Sequence, residues 1–142
     1  MSYRPDNFEL HELVSQDVYG MLKHDLIWDM FDIDTLKMLD WMKDRYPNGA
    51  MTVNSWKWHN VGYAQSGLRT KDSKYYSEGS DHSDGYAFDI KFSAYEVSFV
   101  REDLRKLNYS PFVRRVEEGT ETWLHISSKD KGTGKSVYLF HP

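Results

Sequence analysis

Ser80-Asp81-His82-Ser83-Asp84-Gly85-Tyr86-Ala87-Phe88-Asp89-Ile90-Lys91-Phe92 passes from a polar, turn-forming run into an apolar one. The first half, a glycine among serines and aspartates, reads as loop, and Ala87 to Phe92 reads as a β-strand. Gly85 permits a sharp bend between the two. His82 is thereby placed in a loop and Asp89, seven residues on, on a strand. Further along, Thr122-Trp123-Leu124-His125-Ile126 reads as another strand, so a sheet would hold His125 rigidly. Two imidazoles and one carboxylate are the ligand number and type of a catalytic zinc site, in which a fourth position stays open. The chain has no cysteine, so any zinc must be bound through nitrogen and oxygen. That chemistry points to metal-assisted hydrolysis rather than to a zinc finger.

Working outward, residues 7–24 read as one or two short helices, with Phe8, Leu10, Leu13 and Val14 apolar. A longer helix follows, capped by Asp34, with Leu36, Leu39 and Met42 at helical spacing and Pro47-Asn48-Gly49 ending it. Met51 to Trp58 alternates and reads as a strand. Residues 59–81, rich in Gly, Ser, Lys and Asp, read as a long loop, of a length for which function is one usual reason. Beyond the central strand, Ser93 or Ser98 starts a helix with Val97, Val100, Leu104 and Leu107 in one stripe. Phe112 to Val116 and Thr122 to Ile126 read as strands joined by a tight turn at Glu118-Gly119-Thr120. Ser136 to Phe140 supplies a last strand. Lys131-Gly132-Thr133-Gly134-Lys135 lacks the spacing and following helix of a phosphate loop. Helices first and strands later predict an α+β fold, with N-terminal helices packed on a small antiparallel sheet.

A chain of 142 residues predicts a single domain, residues 1–142, with a real hydrophobic core. A formal net charge of −4 and the lack of a basic run argue against nucleic acid as the partner. No apolar stretch is long enough to insert in a membrane, and the N-terminus lacks the apolar core of a signal peptide. The expectation is a soluble protein made in the cytoplasm. Aromatic residues make up 15% of the chain, enough both to fill a core and to line a groove.

Ser66-Gly67-Leu68-Arg69-Thr70, then Ser80-x-His82-x-x-Gly85-x-Ala87-x-Asp89, then Trp123-x-His125 resemble, in order, the motifs of peptidase family M15. That family comprises zinc D-Ala-D-Ala carboxypeptidases and related L-Ala-D-Glu endopeptidases among phage endolysins, and shares a fold with the Hedgehog signalling domain. Small phage-encoded members are also similar in opening with a segment like Phe8 to Val14. The resemblance implies a Hedgehog/DD-peptidase-like fold, Zn2+ as cofactor, and His82, Asp89 and His125 as its ligands. It implies the stem peptide of bacterial peptidoglycan as substrate, reached at the cell wall after release or as part of a virion. Arg69 matches the arginine that holds a substrate carboxylate or carbonyl oxygen, a role suited to a permanently charged fork. Ser80 matches a serine that orients the loop or the substrate.

The proton-accepting carboxylate departs from the pattern. Family enzymes carry Glu or Asp three residues before the last histidine ligand, where this chain has Thr122. Glu121, one position earlier, would share a strand face with His125 and is the expected base, with Glu117 and Glu118 as alternatives across the turn. The displaced carboxylate also leaves room for another kind of protein, a non-catalytic zinc-binding virion or tail module retaining the peptidase fold. His59, after Trp56-Lys57-Trp58, is expected to line the cleft and touch substrate. His11 and His24 are expected to be structural or exposed, and His141 frayed. Asp81 or Asp84 is expected to accept the outer N–H of a ligating imidazole.

Overall fold

A computed structural model describes residues 3–57, 66–70, 80–129 and 136–140. Within them the chain forms a 3-10 turn (Leu10–Glu12), helices α1 (Gln16–Met21), α2 (His24–Trp28), α3 (Ile33–Arg45) and α4 (Val97–Arg105), and five strands. The strands are β1 (Met51–Thr52), β2 (Ala87–Phe92), β3 (Arg115–Glu117), β4 (Leu124–Ser127) and β5 (Tyr138–Phe140), ordered β1-β2-β4-β3-β5 in one sheet. The architecture is α+β, as the order of elements predicts.

The sheet is mixed rather than antiparallel. β1–β2, β2–β4 and β3–β4 pair antiparallel, but β5 runs parallel to β3. The reason is topological. Both edges of β4 are already taken, by β2 and β3, so the chain reverses after β4 and docks one strand further out. A strand antiparallel to β4 but seated beyond β3 necessarily runs with β3.

Alternation along the strands divides the sheet into two faces. Phe88 and Ile90 of β2, Val116 of β3, and Leu124 and Ile126 of β4 are fully buried and join the core with Leu36, Leu39 and Met42 of α3. Val97, Val100 and Leu104 of α4 complete it, each such burial stabilising by about 1.5–3 kcal/mol. The Phe31 ring stacks on Phe88 at 5.6 Å between centroids. The intervening residues, Asp89 on β2 and His125 on β4, face away from this core, and that parity is what creates the site.

Element ends differ from the sequence reading for local reasons. Asp32, not Asp34, caps α3, accepting a hydrogen bond from the Asp34 amide at 3.1 Å. α4 begins after Glu96, between the two expected serines; Ser93 instead accepts from the Ala50 amide at 2.6 Å. The strand read over 51–58 stops at Thr52 because Asn54 pairs elsewhere. Its amide donates to Glu12 O at 2.8 Å and its side-chain amide to Val14 O at 3.0 Å. The β3–β4 connection spans 118–123, longer than the tight turn expected. Arg101 of α4 fastens it through Glu117 O at 3.1 Å and Thr120 O at 2.6 Å.

Candidate metal centre

Asp89 and His125 are register partners in the β2–β4 ladder, so their side chains stand side by side on the face away from the core. His82 arrives from the turn at 81–85, which is folded on itself. Asp84 N donates to Ser80 O at 3.0 Å, Gly85 N to His82 O at 3.3 Å and Tyr86 N to Asp81 O at 2.8 Å. Gly85 closes this turn with φ +78°, and its carbonyl accepts from the Asp32 amide at 3.2 Å. The left-handed conformation is cheap only for glycine, so the residue is needed where the sequence placed it.

The three side chains meet. His82 Nε2 lies 3.2 Å from Asp89 Oδ1, His125 Nδ1 lies 2.9 Å from the same oxygen, and the two nitrogens are 3.1 Å apart. Two ligand atoms on a tetrahedral zinc ion stand about 3.3 Å apart, given metal bonds of about 2.0–2.1 Å. The triangle therefore needs only a slight opening to hold an ion. His82 Nδ1 is 3.1 Å from Gly67 O. A carbonyl only accepts, so Nδ1 carries the hydrogen and the Nε2 lone pair points into the triangle. A lone pair and a carboxylate oxygen converging with a second imidazole nitrogen form a pocket suited to a cation.

The protonation states suit one too. Burial holds His82 below the usual histidine range despite the opposing pull of Asp89. Burial alone would raise Asp89, but the hydrogen bond with His125 and the imidazole of His82 close by prevail and keep its carboxyl well below the usual range. Neutral imidazole and ionised carboxylate are the forms that bind metal. The sign for stability follows. Below about pH 6.5 the unfolded chain protonates His82 while the folded chain resists, so the unfolded state binds more protons and stability is lost as the pH drops. Asp89 adds a loss in the same direction below about pH 4. Metal-free protein should therefore unfold at a lower temperature at pH 5 than at pH 7.5. The pH dependence should be shallower in His82→Gln, and an identical slope in both proteins would disprove it.

Around the triangle, Arg69 Nη2 stands 3.5 Å from the outer oxygen of Asp89, Oδ2. Its backbone amide donates to His82 O at 3.4 Å. The structure thus brings Arg69 to the three expected ligands. Lys91, on the same strand face as Asp89, donates to Val53 O at 2.8 Å and to Ser66 Oγ; burial pushes its pKa down to about 8. Ser66 is further tied by Asp89 N to its carbonyl at 2.8 Å and by its own amide to Asn54 Oδ1 at 2.9 Å. Alternation along β2 could have signalled Lys91; nothing local in the sequence signals the Gly67 carbonyl.

Other expected positions fall differently. Glu121 is exposed and precedes β4, which begins only at Leu124, so the strand parity invoked for it does not operate. It lines a surface cavity of about 360 Å³ with Thr122 and residues 92–97, a cavity that contains none of the three ligands. Glu117 on β3 is instead the glutamate beside the site, with Oε2 4.0 Å from His125 Nδ1. Asp81 and Asp84 do not support the imidazoles. Asp81 pairs with Arg115 at 2.7 Å and Asp84 with Lys129 at 3.6 Å, while the Gly67 carbonyl takes the His82 N–H. Ser80 enters through its backbone carbonyl, which opens the 81–85 turn. His59, Trp58, His141 and the 131–135 run lie outside the described residues. His11 is buried against Glu9, 2.7 Å away, and His24 is exposed. Among the described residues no helix is long and apolar enough to cross a membrane.

No protein-family model, curated protein or solved structure matches the chain.

Proposed function

We propose that this chain is a zinc-dependent peptidase that hydrolyses a peptide bond in the stem peptide of bacterial peptidoglycan, acting at the cell wall as a phage endolysin or virion enzyme would. The observation that carries the reading is the convergence of His82 Nε2, His125 Nδ1 and Asp89 Oδ1 with the Arg69 guanidinium beside them. Two imidazoles and one carboxylate favour zinc among the common metals. Zinc, when bound, supplies a Lewis acid that polarises the scissile carbonyl and makes water a better nucleophile. His82, Asp89 and His125 hold it on a rigid base, since two of them are neighbours in a ladder. Arg69 contributes positive charge within reach of the ligand carboxylate, where a peptide carboxylate or developing oxyanion would be drawn. The stem-peptide substrate rests on the motif resemblance; the reaction class rests on the donor set.

Purified protein is expected to carry one zinc per chain and to release free amino groups from peptidoglycan. Arg69→Ala should keep the metal and lose about 10²–10³-fold in turnover, the usual scale for one electrostatic contact to reacting groups. One zinc per chain with no release from several wall types would instead favour a non-catalytic zinc-binding virion or tail module.

A further inference from the structure

We infer that Glu117 is the proton-accepting carboxylate of the site, supplied from β3 rather than from the segment leading into β4; this rests on the hydrolase reading above. The β3–β4 ladder pairs Arg115 with Ser127 and Val116 with Ile126. Continued by one residue, this register sets Glu117 opposite His125. His125 is already opposite Asp89 on its other side, and Glu117 is opposite Phe140 of β5. Asp89, His125, Glu117 and Phe140 therefore form one row across four strands, on one face of the sheet. The Phe140 ring packs edge-on to the His125 ring at 5.7 Å, closing the far end of that row.

Distance separates Glu117 from the ligands. Its Oε2 stands 4.0 Å from His125 Nδ1, and it falls outside the group whose ligand atoms lie within 4.8 Å of one another. It is thus beside the metal position without being part of it, which is where a proton acceptor for an attacking water belongs. The rest of the residue is fixed. Its carbonyl accepts from Arg101 Nε at 3.1 Å, and the next amide, of Glu118, donates to Phe140 O at 2.8 Å. Among the described residues the rival carboxylates are placed elsewhere. Glu118 lies past the end of β3, in the connection to β4, Asp81 is engaged by Arg115 at 2.7 Å, and Glu121 lines the separate cavity at residues 92–97.

The step balances. One water oxygen bonds to the scissile carbonyl carbon as one of its protons passes to Glu117 Oε2. The C–N bond then breaks with its electron pair on nitrogen, and nitrogen takes that proton, returning Glu117 to carboxylate. The water's second proton leaves with the new carboxylic acid, which ionises as the amine is protonated.

The test compares wild type, Glu117→Gln and Glu121→Gln in three readouts: zinc affinity by chelator competition, acetohydroxamate binding to cobalt-loaded protein by visible absorbance, and amino-group release from peptidoglycan. Glu117→Gln should keep its zinc affinity and its thermal midpoint. It should bind acetohydroxamate about tenfold more weakly, because a charge-assisted hydrogen bond is lost, and turn over at least about 100-fold more slowly. Glu121→Gln should match wild type in all three. Unchanged hydroxamate binding in Glu117→Gln, or collapse of its zinc affinity, overturns the assignment. Should wild type bind zinc and hydroxamate but release no amines, the peptidase reading falls, while the hydroxamate comparison still decides whether Glu117 faces the open metal position.

Discussion

Alanine at His82 is expected to raise the zinc dissociation constant by about 10²- to 4 × 10³-fold, and alanine at His125 by a similar factor. A structural zinc site is worth on the order of 10–16 kcal/mol. One ligand among three or four then carries roughly 3–5 kcal/mol, at 1.4 kcal/mol for each factor of ten in affinity. Among the described residues no substitute stands ready at the vacated corner. Asp81, the residue before His82, is engaged by Arg115 at 2.7 Å. Glu117 is 4.0 Å from His125 Nδ1 and lies outside the triangle. Asp84→Ala is the matching control, since Asp84 pairs with Lys129 on the surface at 3.6 Å and should leave zinc affinity unchanged. Chelator competition measures all three, with circular dichroism confirming that each variant folds. Wild-type affinity in either histidine variant would remove the site.

The ligand trio was legible through the motif resemblance, with local signals beside it. A polar turn with glycine at 85 runs straight into a strand, and period-two parity sets Asp89 apart from Phe88 and Ile90. The apolar spacing of Leu36, Leu39 and Met42, and of Val97, Val100 and Leu104, likewise showed both longer helices. What the sequence hid depends on contacts between distant segments. The parallel β3–β5 pair follows from which edges of β4 were already occupied, and no local pattern encodes that. β1 ends early because Asn54 binds the carbonyls of Glu12 and Val14, some forty residues away.

The base shows the same division most clearly. Glu121 was favoured by strand parity counted back from His125, an argument valid only if β4 reached it. The strand begins at Leu124, and a longer connection than expected carries Glu121 into another cavity. Cross-strand register then matters more than distance along the chain: Glu117 is eight residues before His125, yet the Val116–Ile126 register continued by one residue sets the two opposite. A hairpin with the expected tight turn would have had a different register and a different neighbour.

Gly67→Ala tests the other hidden contact and should be among the most damaging single changes in the chain. Gly67 lies against the backbone of Leu13, and an added Cβ would come within 2.7 Å of the Leu13 carbonyl carbon and closer still to its oxygen. Backbone meets backbone there, so no side chain can rotate aside. The Ser66–Arg69 segment must move, breaking the Leu68 amide's 3.0 Å hydrogen bond to Leu13 O. Overpacking and a lost hydrogen bond together cost about 3 kcal/mol, or roughly 10 °C in Tm for a domain of this size. The same shift withdraws the Gly67 carbonyl from His82 Nδ1, freeing the imidazole to turn. Loss of such an outer partner typically weakens metal binding by about 10–100-fold. Gly20→Ala is the contrast, because a Cβ there meets nothing within 4 Å and lies in α1, where alanine is favoured over glycine by about 0.5–1 kcal/mol. A Gly67→Ala protein with wild-type Tm and zinc affinity would mean that the N-terminal turn does not brace the metal centre, and that His82 is oriented by the 81–85 turn alone.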